Sequence, residues 1–122
     1  MPTPRRAAGD RFEAIARAML ERAGLQCLQA NFLTRFGEID LVMRDGDTTV
    51  FVEVRYRANT RFLSAVATVT PDKQRKLVRA AQIFLLRYPS LGRGPCRFDV
   101  VGFDGPADDP RSQWCRNAFE LT

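Results

Sequence analysis

Apolar residues recur at helical spacing in two segments of the chain, and these segments predict two helices. In Asp10–Ala23 the repeating apolar positions are Phe12, Ile15, Ala16, Met19 and Leu20. In residues 70–88 they are Leu77, Ala80, Ala81, Phe84 and Tyr88. Spacings of three and four residues place each set on one face of a helix, the face expected to pack on the rest of the fold.

Both predicted helices begin with capping residues. Thr70 is a suitable N-cap for the second helix, and Pro71 suits its first helical position. In the first helix Asp10 is a good N-cap, and Glu13 three residues later resembles a capping box. Glu13 therefore has two interpretations, since it either satisfies the helix start or belongs to a functional site.

The remaining apolar segments are short and predict strands. They are "LQCLQANF" (25–32), "GEIDLVMR" (37–44), "TTVFVEVRYR" (48–57), "CRFDVVGF" (96–103) and the closing "WCRNAFEL" (114–121), a strand or a helical turn. Asp45-Gly46-Asp47 between the second and third segments indicates a hairpin. The order α-β-β-β-α-β-β predicts an α/β fold with a central mixed sheet flanked by helices.

Length and composition indicate one cytoplasmic domain. The 122 residues suffice for a single core, and we expect a flexible N-terminus at 1–8 followed by one domain at 9–122. No apolar run approaches the ~20 residues of a membrane helix, and the N-terminus lacks the apolar stretch of a secretory signal. The three cysteines have no metal-site or disulfide spacing, which favours a reducing compartment.

Charge and one missing residue type narrow the function. The formal net charge is +5, with a pI near 9.7, which suits a polyanionic partner such as nucleic acid but is also found in basic domains without one.

The chain has no histidine. This excludes histidine-containing zinc sites, Ser-His-Asp hydrolysis and histidine acid–base chemistry. Catalysis would have to use carboxylates, basic groups, hydroxyls, thiols or a metal.

Alternation along the hairpin predicts a cluster of charges. In the first strand Glu38 and Asp40 share a face opposite Ile39, Leu41 and Met43. In the second, Glu53 and Arg55 share a face. For a loop of two or four residues these four charged side chains fall on the same side of the hairpin, with Asp40 near Glu53.

Three carboxylates with one arginine suit a cation. Mg²⁺ or Mn²⁺ takes oxygen ligands, and Asp40 and Glu53 are the predicted ligands. Arg55 would then lie beside a phosphate or an attacking water. The alternative is a solvated face on which Glu38–Arg55 and Glu53–Arg57 are surface ion pairs of little energetic value.

A run of basic residues follows the hairpin and predicts a nucleic-acid-binding face. Its members are Arg57, Arg61, Lys73, Arg75, Lys76 and Arg79, together with Arg55, against the single acid Asp72. Phosphate contacts from such residues supply most non-specific affinity for nucleic acid. A solvated helix surface is the alternative.

The pattern of Asp40, twelve residues and Glu53-Val54-Arg55 resembles the PD-(D/E)xK nuclease signature. The longer segments "GEIDLVMRDGDTTVFVEVRYR", "VTPDKQRKL", "RFDVVGF" and "NAF" resemble the YraN family of small bacterial proteins, from Gly9 to Phe119. This resemblance implies a restriction-endonuclease-like fold and a metal-dependent nuclease site. The family's helix glutamate falls on Glu13, its GEID motif on 37–40, its third-strand acid on Glu53, its basic position on Arg55 and its helix lysine on Lys73.

The resemblance implies a Mg²⁺- or Mn²⁺-dependent phosphodiesterase acting on DNA, with branched or repair intermediates as substrates. Restriction-like folds often cut duplexes as dimers, so a homodimer is a further expectation. Three positions depart from the pattern: Arg55 replaces the usual lysine, Leu33 replaces an arginine, and Leu63-Ser64 replaces a glycine pair. Because arginine cannot serve as a base, a non-catalytic nucleic-acid-binding module with the same fold is the alternative function.

Overall fold

The computed structural model describes residues 4–120, with side chains from residue 9 onward. Its elements are α1 (Pro4–Arg22), β1 (Gln26–Thr34), β2 (Gly37–Asp45), β3 (Thr48–Arg57), α2 (Pro71–Arg87), β4 (Cys96–Asp104) and β5 (Arg111–Phe119). Short 3₁₀ turns lie at Val66–Thr68 and Leu91–Arg93. The predicted element order is confirmed, and the closing segment is a strand.

The five strands form one mixed sheet in the order β1-β2-β3-β4-β5. Neighbouring strands are antiparallel except β3 and β4, which are parallel. Parallel strands cannot be joined by a tight turn, and α2 lies in the connection between these two. The predicted mixed sheet flanked by helices is therefore confirmed.

Each helix covers one face of the sheet with its apolar stripe. Phe12, Ala16 and Leu20 of α1 pack with Leu41, Met43, Val50, Val52, Val101 and Phe103. Leu77, Ala80, Ala81 and Phe84 of α2 pack with Phe32, Ile39, Val42, Phe51, Phe98 and Val100. Tyr88, predicted in the same stripe, is the C-cap residue and is 41% exposed, with its ring against Phe84.

The two helix starts differ in how well the sequence predicted them. Thr70 caps α2, and its side chain accepts a hydrogen bond from the Lys73 N–H, as predicted. The predicted start of α1 at Asp10 is wrong, because the helix begins at Pro4 and Asp10 lies inside it. Proline suits a first helical position, and the alanines that follow favour helix. Of the N-terminal segment 1–8, residues 4–8 belong to α1 and residues 1–3 lie outside the described part.

Asp99 fixes β5 to β4 from a buried position. Its carboxylate accepts hydrogen bonds from the Arg97 guanidinium at 3.0 Å, the Trp114 indole N–H at 2.9 Å and the Asn117 N–H at 3.0 Å. Arg97 also pairs with Asp45 at 2.9 Å. Both carboxylate oxygens of this buried acid have donors, which indicates a structural role.

The chemistry-bearing side chains lie at the end of the β2–β3 hairpin away from its turn, beside the middle of α1 and the start of α2. Among residues 4–120, no helix combines the length and apolar composition required to cross a membrane.

Candidate metal and phosphate site

The β2–β3 hairpin has a two-residue turn, one of the two loop lengths for which the sequence predicts the four charged residues on the same side. Asp45 pairs with Thr48, and the ladder runs to Leu41 opposite Val52. Gly46 in the turn has φ +61°, which glycine adopts without strain. Beyond Leu41 the Asp40 carboxylate itself accepts the Val54 N–H at 2.8 Å. A β2 side chain thus accepts the hydrogen bond of a β3 backbone N–H, at the residue next to Glu53.

The strict alternation predicted for β2 is wrong at its start. Ile39 and Val42 both pack on the α2 side, whereas Leu41 and Met43 pack on the α1 side. The break lies between Ile39 and Leu41, opposite the β1 segment in which Asn31 has φ +55°, a left-handed backbone. Ile39 pairs with Phe32 and shares its side of the sheet.

Five carboxylates line one hollow of about 210 Å³. Its lining residues are Gly9, Asp10, Glu13, Glu38, Asp40, Glu53 and Lys73. Carboxylate oxygens of Glu13, Glu38 and Asp40 lie within 4.8 Å of one another. We call this hollow the acidic pocket. Because α1 begins well before Glu13, this side chain does not cap the helix and instead belongs to the pocket.

Asn31 holds two of the acids and was not predicted as a site residue. Its side-chain amide donates to Glu13 Oε2 at 2.8 Å and to Glu38 Oε1 at 2.6 Å. The left-handed backbone of Asn31 places this amide between α1 and β2. Asparagine tolerates that backbone better than most residues. The only feature of the sequence that indicates this role is an asparagine seven positions before the acid Glu38.

Glu53 is the buried member of the set. It is 5% exposed, and its Oε2 lies 3.5 Å from the Lys73 ammonium nitrogen. That distance is long for a charged hydrogen bond, and Oε2 has no hydrogen-bond donor among the described residues. A buried carboxylate oxygen without a donor is costly unless another positive group binds it.

The pocket favours protonated acids when no cation is present. Burial, reinforced by the neighbouring Glu53, raises the pKa of Asp40 from 3.8 to about 8. Burial also raises the pKa of Glu13 from 4.5 to about 7, against the lowering effect of the Asn31 hydrogen bond. A hard divalent cation prefers such clustered carboxylate oxygens, and it would satisfy the Oε2 atom of Glu53. The residues therefore fit Mg²⁺ or Mn²⁺.

We expect the metal-free protein to lose stability as the pH rises from about 4.5 to 8. In this window the folded state keeps protons on Asp40 and Glu13 that the unfolded chain has released, so the unfolding free energy falls with pH. Urea unfolding in EDTA at several pH values would measure it. Asp40→Asn should show a shallower slope than wild type; equal slopes would contradict the raised pKa of Asp40.

Arg55 lies in a different hollow from the acids. Its guanidinium reaches the Thr68 carbonyl at 3.5 Å, and it lines a hollow of about 570 Å³ with Gly9, Phe12, Val54, Tyr56, Arg57 and Thr68. The cation beside the acids is Lys73. Within residues 9–120, neither Glu38–Arg55 nor Glu53–Arg57 forms an ion pair within 4 Å, so the solvated-face alternative lacks both of its predicted pairs.

The other predicted nucleic-acid-binding residues lie outside the acidic pocket. Arg57 donates to the Asn59 carbonyl at 2.9 Å, and Arg61 lies over the exposed Phe62 ring. On α2, Arg75 and Lys76 both pair with Asp72, at 3.5 and 3.4 Å. Arg79 lies over the Phe36 ring at 5.3 Å. The basic surface of α2 thus starts at Lys73, beside the acidic pocket, and continues along the exposed face of the helix through Arg75, Lys76 and Arg79.

Comparison with known proteins places the chain in a family. The profile of the Uncharacterised protein family UPF0102 matches residues 12–103. A UPF0102 protein of Xanthomonas campestris pv. campestris (strain B100) is 52% identical over 121 residues, covering 99% of this chain and 98% of that protein. A UPF0102 protein of Alkalilimnicola ehrlichii is 49% identical over 118 residues, covering 97% and 90%.

A third relative, a UPF0102 protein of Stutzerimonas stutzeri (strain A1501), is 48% identical over 112 residues, covering 92% of this chain and 93% of its own. UPF0102 is the family also called YraN. The chain therefore belongs to the UPF0102, or YraN, family.

Proposed function

We propose that this protein is a metal-dependent nuclease that hydrolyses phosphodiester bonds in DNA. The observation that carries the proposal is the acidic pocket, in which buried Glu53 has an oxygen without a hydrogen-bond donor among the described residues. Acids alone would repel a phosphate. Acids that bind a divalent cation would attract one, and the basic start of α2 borders the same pocket.

Each pocket residue has a role in this proposal. Asp40 and Glu53 would hold Mg²⁺ or Mn²⁺, and Asn31 keeps Glu13 and Glu38 in place beside them. When bound, the cation would polarise the phosphate and lower the pKa of a coordinated water. The mixed sheet with a helix on each face is consistent with the restriction-endonuclease-like fold that the motifs suggest, although fold alone does not define a reaction.

The proposed reaction is hydrolysis by in-line attack. The water oxygen bonds to phosphorus, and the bond from phosphorus to the leaving sugar oxygen breaks. The water gives a proton to a carboxylate or to solvent, and the leaving oxygen takes one from solvent. Positive side chains at the pocket stabilise the charge that builds on the phosphate.

A second candidate is a DNA-binding module without turnover. The position of Arg55 favours it, because the basic residue of the nuclease signature does not line the acidic pocket. This alternative predicts salt-dependent DNA binding that is insensitive to substitution of Asp40. Both candidates place the protein in the cytoplasm with DNA as its partner, and a homodimer would present two pockets to a duplex.

Cleavage assays with Mg²⁺, Mn²⁺ or EDTA would separate the candidates. End-labelled linear, single-stranded and branched DNA should be incubated with wild type and with Asp40→Asn from the same purification. The nuclease proposal predicts products with metal and wild type only. Products that persist in Asp40→Asn would indicate a contaminant, and binding without products would favour the module.

A further inference from the structure

Two hollows of opposite charge meet at Gly9. The acidic pocket contains Lys73, whereas the hollow of about 570 Å³ contains Arg55 and Arg57 and no carboxylate among its lining residues. Gly9 of α1 borders both. We call the second hollow the arginine hollow.

The two arginines of this hollow have unused donors. The buried Nε of Arg55 has no acceptor among the described residues, and among them its guanidinium has one long hydrogen bond, to the Thr68 carbonyl at 3.5 Å. Arg57 donates its Nε to a backbone carbonyl and forms no ion pair within residues 9–120. Two arginines that line one hollow without a carboxylate among its lining residues have the composition of an anion site, since a guanidinium group matches phosphate geometry.

The aromatic wall of the hollow is rigid. Phe12 stacks on Tyr56 with ring centroids 4.4 Å apart, and the Tyr56 hydroxyl donates to the Gly105 carbonyl at 2.7 Å. Tyr56 lies between the two arginines in β3, so this packing holds the intervening backbone. The guanidinium groups therefore project from a fixed strand rather than from a loop.

Lys73 occupies the position that the signature would give to Arg55. Lys73 lies in the first turn of α2, which the Thr70 cap stabilises. Its ammonium group forms an ion pair with Glu53 at 3.5 Å. A single positive charge there can contact a phosphate oxygen at the acids. Arg55 borders the neighbouring hollow instead.

We infer that the cationic roles are divided: Lys73 is the cation of the acidic pocket, and the arginine hollow binds a neighbouring phosphate of the nucleic-acid backbone. This inference rests on the proposed function for the identity of the ligand. It explains how the chain tolerates arginine where the signature has lysine, because Arg55 has only to bind phosphate.

Metal affinity tests the first half. Lys73→Gln removes a positive charge near the bound ion, so it should tighten Mn²⁺ binding by about three- to tenfold, for a unit charge a few Å away in a partly solvated pocket. Lys73→Arg should keep wild-type affinity, as should Arg55→Gln. The control Arg93→Gln lies beyond the opposite end of α2, a helix roughly 25 Å long, and should change nothing. Equal tightening by Arg55→Gln and Lys73→Gln would overturn the division.

The salt dependence of metal-free DNA binding tests the second half. Arg55→Gln should flatten the log–log slope by about 0.9, the value for one phosphate contact, and Arg57→Gln should do the same. Lys73→Gln should leave the slope unchanged, because without metal Lys73 pairs with Glu53 and the acids repel phosphate. A wild-type slope in Arg55→Gln would contradict the arginine hollow.

Neither readout requires cleavage. If wild type cleaves no DNA, the proposed reaction fails while metal affinity and salt slope still decide the assignment. If it cleaves, Lys73→Gln should slow single turnover by roughly 10²-fold or more. Arg55→Gln should mainly weaken DNA binding, and its single-turnover rate at saturating DNA should fall less than about tenfold. A larger loss of rate in Arg55→Gln than in Lys73→Gln would show that Arg55, and not Lys73, contacts the reacting phosphate.

Discussion

Asp40→Asn and Glu53→Gln are expected to abolish metal-dependent cleavage while leaving the metal-free fold intact or more stable. Each change removes one predicted ligand of the cation. Loss of an outer partner of a metal ligand already costs 10- to 100-fold, so loss of a ligand should exceed about 10²-fold in single-turnover rate.

The stability of Asp40→Asn follows from its contacts. The amide oxygen can still accept the Val54 N–H, and its N–H₂ group adds donors among crowded acceptors. The unfolding free energy at pH 8 should therefore stay equal or rise by up to about 1.5 kcal/mol. Asp47→Asn in the exposed hairpin turn is the matched control and should retain cleavage. A loss of more than about 1 kcal/mol in Asp40→Asn would show that the carboxylate stabilises the fold.

Asp99→Ala is expected to have the opposite effect and the larger cost in stability. The substitution leaves Arg97, the Trp114 indole and the Asn117 N–H without their acceptor. Removing one partner of a buried charged network costs about 3–5 kcal/mol. Chemical denaturation would measure this loss, with Asp108→Ala in the exposed loop as a control expected within about 0.5 kcal/mol of wild type. A loss below about 1 kcal/mol would contradict the anchoring role of Asp99.

Asp40 and Asp99 show why burial alone does not identify a functional acid. Both lie next to apolar β residues, and the sequence presents each as an acid within a strand. Asp99 has a donor for every oxygen and an arginine beside it. Asp40 has one backbone donor and acidic neighbours. The difference is in the partners, which come from other elements.

Local signals in the sequence predicted most of the fold. Three predictions depend on residues close together in the chain and are confirmed: the α2 stripe up to Phe84, the Thr70 cap and the hairpin around Gly46. The start of α1 was misplaced because Asp10 resembles an N-cap whether or not the helix extends beyond it.

The composition of the acidic pocket could be predicted only in part. The hairpin parity predicts Glu38, Asp40 and Glu53 on one side, and the structure brings all three to the acidic pocket even though the alternation of β2 breaks at its start. The left-handed Asn31, whose amide donates to both Glu13 and Glu38, could not be predicted. Lys73 approaches Glu53 because α2 crosses back over the sheet between β3 and β4, a long-range consequence of topology that spacing along the chain does not reveal.

A thermal-shift titration with Mn²⁺ at pH 8 tests the central claim most directly. An ion that binds only the folded state raises Tm by mass action, by an amount that grows with concentration. The acidic pocket predicts a rising Tm for wild type and Asp47→Asn, and a flat response for Asp40→Asn and Glu53→Gln. A wild type without a metal-dependent rise, or four proteins that respond alike, would contradict a metal site at Asp40 and Glu53.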